Sequence, residues 1–148
     1  MKSIFDASTQ NEIIGRIKSL NASNRALWGN MQLQEMVEHC SRCDDMYLGN
    51  IQIPRVFIGR IIGPFLLNKV IQNDAPFTKN TPTSPALKAS AVSGDLETQK
   101  QQWIARIEAY NNFSNHDFIH PFFGRMNKEQ VGYVSYKHLD HHLRQFGA

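Results

Sequence analysis

The sequence predicts an all-α fold, a helical bundle. Three observations carry this. Apolar residues recur at helical spacing over several long stretches, caps and stop signals bracket those stretches, and alternating strand patterns with hairpin turns are absent. The chain has 148 residues, 41% hydrophobic and 20% charged. That suits one globular domain over residues 1–148 with a sizeable core.

The elements follow in order. A first helix is expected over about 8–20, where Ile13, Ile14, Ile17 and Leu20 share a face and Asp6 or Ser8 can cap. Residues 21–24 read as a loop. A second helix is expected over about 31–48, capped by Asn30, with Met36, Cys40, Cys43 and Tyr47 on one side and Gly49-Asn50 as its stop. A third, nearly all-apolar segment over about 55–71 contains Pro64, and a break or kink is expected near Gly63-Pro64. Residues 74–94 hold three of the six prolines and read as a long irregular connection. A further helix is expected from about Gly94-Asp95 to Phe113, its buried stripe marked by Trp103, Ile107 and Tyr110. Residues 115–126 are irregular and include His-Pro-Phe-Phe-Gly at 120–124. The last helix is the clearest. Asn127 caps it, Gln130 completes a capping box, and it runs to about Phe146 before Gly147.

Composition narrows the function. Net charge is +3 and the basic residues are scattered, so nothing argues for nucleic acid. The longest apolar run, Val56 to Leu67, is interrupted by Arg60 and is shorter than a membrane span, and the N-terminus has no apolar signal core. A cytoplasmic protein is the default expectation, and two cysteines make no disulfide scaffold. A glycine-rich phosphate loop and a GxSxG elbow are both absent from the sequence.

The chemistry-bearing residues are histidines. His138 and His142 lie one helical turn apart, so two imidazoles can converge on one metal ion from the margin of the Leu139–Leu143–Phe146 stripe. His141 lies about 60° off the facing direction of that pair, which makes it a weaker candidate. His39, at the margin of an apolar face of the second helix, is the best third ligand, because facing helices of a bundle bring ligands together in the core. Three neutral imidazoles leave open coordination positions, as catalytic zinc sites do, and nickel or iron accept the same ligands. The competing reading makes these histidines ordinary packing residues. Glu35 and Glu38 flank His39 and can serve as a second shell or a general base, or simply as solvated charges. Cys40 and Cys43 form C-S-R-C in mid-helix, which suits two small buried residues better than a redox pair. His120–Gly124 reads as a rigid aromatic turn, either lining a pocket mouth or plugging the loop. His116 has no evident partner.

The C-terminal YKHLDHHLRQFG, residues 136–147, resembles the last helix of the DinB-like (YfiT-like) metal-binding four-helix bundles. Leu27-Trp28-Gly29-Asn30-Met31, followed by His39 in Met-Val-Glu-His, resembles the matching upstream element, and His-Pro-Phe-Phe-Gly is similar to one uncharacterised subfamily. The resemblance spans about Arg25 to Gly147. It implies a four-helix bundle with long irregular connections and a divalent metal (zinc, nickel or iron) on His39, His138 and His142, with His141 matching a histidine that is usually not a ligand. One departure is Leu143, since many relatives read His-His-Arg-Gly-Gln. Some relatives are transferases or isomerases that use low-molecular-weight thiols, and homodimers are common among them. The resemblance therefore implies a metal-dependent enzyme with a small-molecule substrate, a small-thiol S-transferase or related hydrolase. The alternative is a non-enzymatic, stress-associated helical binding protein with structural or incidental metal.

Overall fold

The computed structural model describes residues 1–81, 84–88 and 94–148. Five α-helices dominate it: α1 (Ala7–Ser19), α2 (Leu33–Leu48), α3 (Phe57–Val70), α4 (Leu96–Ala109) and α5 (Lys128–Gln145). Single 3-10 turns occupy Pro85–Leu87 and Tyr110–Asn112, and a minimal antiparallel ladder pairs β1 (Ile119–His120) with β2 (Gly124–Arg125). The chain is thus mostly helical, as its periodicity predicts. No helix among the described residues is long and apolar enough to cross a membrane.

The helix ends show how local sequence sets the boundaries. Asp95 caps α4 by accepting from the Thr98 N–H at 2.9 Å. Asn127 and Gln130 form the reciprocal box at the start of α5, at 2.9 and 2.8 Å. Asp6 is the N-cap residue of α1, although its carboxylate accepts from the Ser3 N–H at 3.2 Å. α2 begins two residues later than expected. Gln32, not Asn30, is its cap, and Glu35 reaches back to the Gln32 N–H at 2.7 Å. Gly49 ends α2 in the left-handed conformation that glycine adopts without strain. Near Phe113 the expected helix tightens: α4 stops at Ala109 and a 3-10 turn completes the run.

α1, α2, α4 and α5 share one core, α2 packing against α4 and α5, and α1 against the same two. Ile13, Ile17, Met36, Cys40, Trp103, Ile107, Val131, Leu139 and Leu143 are all buried there. Polar ties run through it. Asp44 accepts from Trp103 Nε1 at 3.0 Å and from the Tyr110 hydroxyl at 2.8 Å, and that hydroxyl lies 3.0 Å from Ser135 Oγ, so α2, α4 and α5 meet on one carboxyl. Two lysines close helix ends. Lys100 donates to the Lys18 and Leu20 carbonyls at the end of α1, at 3.0 and 2.6 Å. Lys137 donates to the Val70 and Asn73 carbonyls at and just past the end of α3, at 2.7 and 3.0 Å. Both satisfy carbonyls that a helix terminus leaves without intrahelical partners.

α3 departs from expectation. It runs through Pro64 without a break. It lies on the β1–β2 hairpin through Gly59 and Gly63, where an added methyl group would overlap the Phe122 carbonyl. Phe57, Ile58, Ile61, Ile62 and Phe65 remain exposed on its other side. The hairpin itself is the His120–Gly124 turn, and it anchors rather than gapes. His120 Nδ1 accepts from the Phe122 and Phe123 N–H groups, both at 3.1 Å, and its ring lies 4.7 Å from that of Phe123.

Gly63→Ala should therefore lower stability by about 1–3 kcal/mol, the usual cost of forcing volume into a closed contact. Gly15→Ala, which meets nothing within 4 Å, should be neutral or slightly stabilising. Urea denaturation of both variants beside the parent protein reads the difference.

Candidate metal centre

α2 supplies His39 and α5 supplies His138 and His142. The packing of α2 on α5 brings their ligand nitrogens within 4.8 Å of one another, so the three could hold a metal ion. The rings form a closed triangle with centroids 5.0, 4.9 and 4.7 Å apart. His39 and His142 are buried and His138 is half-buried, which makes His138 the edge that solvent reaches.

Hydrogen bonds fix the tautomers. His39 Nδ1 lies 2.8 Å from the Leu87 carbonyl oxygen, which only accepts, so Nδ1 carries the proton and the Nε2 lone pair is free. His142 Nδ1 lies 2.9 Å from Gln145 Oε1, while Gln145 Nε2 donates to the Trp28 carbonyl at 2.8 Å. That second bond orients the amide, so its oxygen faces His142 and the same logic frees the His142 Nε2. Such outer partners orient metal-bound imidazoles and raise their basicity. His39 Nε2 lies 3.0 Å from His138 Nε2. That is the distance of an N–H···N hydrogen bond from His138 to the His39 lone pair, and nitrogens about 2.1 Å from one tetrahedral ion would stand about 3.4 Å apart.

Electrostatics agree with the geometry. Burial, followed by the charges of neighbouring imidazoles, pushes His142 down to about 3 and His138 well below its ordinary value. Burial likewise lowers His39. The three imidazoles are therefore neutral at pH 7, the form that ligates metal. His120, outside the triad, is also held down to about 3 by burial and then by the nearby Arg55.

The other sequence candidates fall elsewhere. His141 stands beside the triad, its ring 5.2 Å from that of His142, but outside the cluster. Glu35 is committed to the α2 cap, and the second shell is made instead by the Leu87 carbonyl and the Gln145 amide. Cys40 and Cys43 are free and buried, and burial pushes both thiols well above their ordinary range, which makes them poor nucleophiles. Cys43 Sγ lies 3.8 Å from His39 Nε2 without joining the cluster. His116 packs edge-on against Phe113 at 5.9 Å. Of the 74–94 connection, residues 82–83 and 89–93 lie outside the described residues, and Leu87 is the described part that reaches the centre. Gln145 was recoverable from the sequence, being three residues after His142 on one helix. Leu87 acts through its backbone and carries no side-chain signal.

Fold and site together define a mostly helical protein with a buried, outer-shell-oriented cluster of three histidines. The chain belongs to a family described as a protein of unknown function (DUF1569), whose model matches residues 3–148. No curated protein and no solved structure matches it.

The imidazole burial sets a pH dependence. A group whose folded pKa is depressed binds its proton more readily when unfolded, so stability is lost as pH falls below the unfolded value near 6.5. Five imidazoles, His39, His120, His138, His141 and His142, act in that direction. Asp44, raised by burial to about 7, acts in the opposite direction as a single group. The metal-free protein should therefore lose stability steadily from pH 6.5 toward 4.5 and change little between pH 7 and 8, as read by denaturation midpoints across that series.

Proposed function

We propose that this protein is a cytoplasmic, DinB-like four-helix bundle that holds a divalent metal ion (zinc, nickel or iron) on His39, His138 and His142, and that it works as a small-thiol-dependent S-transferase or related hydrolase. One observation carries the metal reading: the Nδ1 protons of His39 and His142 are spent on the Leu87 carbonyl and the Gln145 amide, leaving Nε2 lone pairs inside a cluster that contains no carboxylate. A neutral His138 has one proton and can answer only the His39 lone pair 3.0 Å away, whereas a metal ion answers all three nitrogens. When bound, the ion supplies Lewis acidity, lowering the pKa of a thiol or water at an open position. The chain's own groups hold the ligands in one tautomer, keep them neutral, and leave approach on the half-buried His138 side. The free, buried cysteines are consistent with a reducing compartment.

We also propose a homodimer formed through α3. Phe57, Ile61 and Phe65 repeat every fourth residue and make an exposed apolar ridge, which interdigitates with the equivalent ridge of a second copy. Arg60 and Lys69 are the charged residues of that helix, and it has no acid, so a symmetric pairing buries no carboxylate.

Elemental analysis tests the metal. Near one equivalent is expected in the purified protein, and its loss in His138→Ala and His142→Ala. Turnover of an electrophile with a small thiol should fall with it. No metal after incubation with zinc, nickel or iron would leave a non-enzymatic binding protein. Sedimentation tests the pairing: the parent should run as a dimer and an Ile61→Lys/Phe65→Lys variant as a monomer. A monomeric parent would remove the α3 interface.

A further inference from the structure

Beside the triad, cationic and aromatic side chains gather around one recess. A recess of about 200 Å³ is lined by Trp28, Pro76, Phe77, Lys79, His141 and Arg144. One wall is apolar, made by the Trp28 and Phe77 rings and Pro76. The charged groups lining it are cations, and no carboxylate does so.

Its cations are incompletely paired. The Trp28 indole N–H is shut off from solvent and has no hydrogen-bond partner, so Trp28 offers the recess its ring. Lys79 stands over the Trp28 ring with its ammonium 4.3 Å from the centroid, and no carboxylate pairs with it among the described residues. Arg144 bonds Asp140 at 2.8 Å, a carboxylate it shares with Arg16 at 2.7 Å, and Glu12 is a further partner of Arg16 at 3.9 Å. His141 closes the recess toward the triad, its ring 5.6 Å from that of Trp28 and 6.2 Å from that of Phe77.

We infer that this recess binds a small organic carboxylate, with its apolar body against Trp28, Pro76 and Phe77 and its carboxylate paired with Lys79 and Arg144. Its place gives the ligand a role. The His141 ring is in edge contact with that of His142, and Gln145 joins His142 Nδ1 to the Trp28 carbonyl. A carboxylate held here anchors one end of a substrate whose reactive end lies at the histidine centre. The inference rests on the metal reading for that role, but not for the binding itself.

Benzoate is the probe and neutral benzamide its control, each titrated into ¹⁵N-labelled protein, metal-free and zinc-loaded, while the Trp28 indole resonance is followed. Trp28→Phe assigns it, and the Trp103 indole, bonded to Asp44, is the internal reference. Benzoate should move the Trp28 resonance saturably in the metal-free protein and leave Trp103 in place. Benzamide should bind about tenfold more weakly, Lys79→Met should weaken benzoate by about tenfold, and Lys79→Arg should restore most of it. Lys79 is exposed, so neither substitution threatens folding. An unmoved Trp28 resonance, equal binding of benzamide, or indifference to Lys79→Met would overturn the inference. So would a shift seen only with zinc present, which would place benzoate on the metal. A His39→Ala variant separates the two readings: metal lost and benzoate binding kept is expected, while benzoate binding kept in a parent that takes up no metal would sink the metal reading alone.

Discussion

The donation of imidazole protons to fixed carbonyl oxygens is the constraint on which the rest of the centre depends. Buried imidazoles are neutral, and each neutral ring has one proton to place. In His39 and His142 that proton goes outward, to Leu87 and Gln145, so the lone pairs must face inward. Three separate pieces of chain are thereby held in register: α2, the turn at 85–87 and the end of α5. The same Gln145 donates to the Trp28 carbonyl, and its own carbonyl accepts from the Leu27 N–H at 2.8 Å, which draws the segment before α2 onto the same spot.

The core solves a related problem with other groups. Trp103 and Tyr110 would each bury a polar atom at a cost, and Asp44 answers both. Its carboxyl is raised to about 7 because burial outweighs those two hydrogen bonds. Lys100 and Lys137 likewise sit where helix carbonyls need donors. Polar residues in this interior fix which helix end meets which neighbour, while the apolar residues supply the burial.

What was legible in the sequence was local. The capping box of α5 and the helical stripes placed α1, α5 and the start of α4 to within a residue or two, because their signals lie inside a single turn. His138 and His142 followed from one-turn spacing, and His39 from its place on an apolar margin. Contacts made far along the chain were hidden. Pro64 is tolerated within α3, although it removes one backbone donor. The β1–β2 ladder is two residues per strand, too short for any alternation to show. The Leu87 carbonyl reaches His39 across forty-eight positions and has no residue-type signature. The recess at Trp28 draws on three stretches of chain, none of which announces a pocket by itself.

The manner of α3's attachment has a consequence for variation. Gly59 and Gly63 meet the Phe122 main chain, and Lys137 reaches main-chain carbonyls at the far end, so much of the seat is backbone against backbone. A helix held this way can exchange its outward side chains without disturbing the interior or the histidines. Whatever surface it presents is free to diverge between relatives at its own pace, while the glycines, the Phe122 turn and the triad stay under separate restraint.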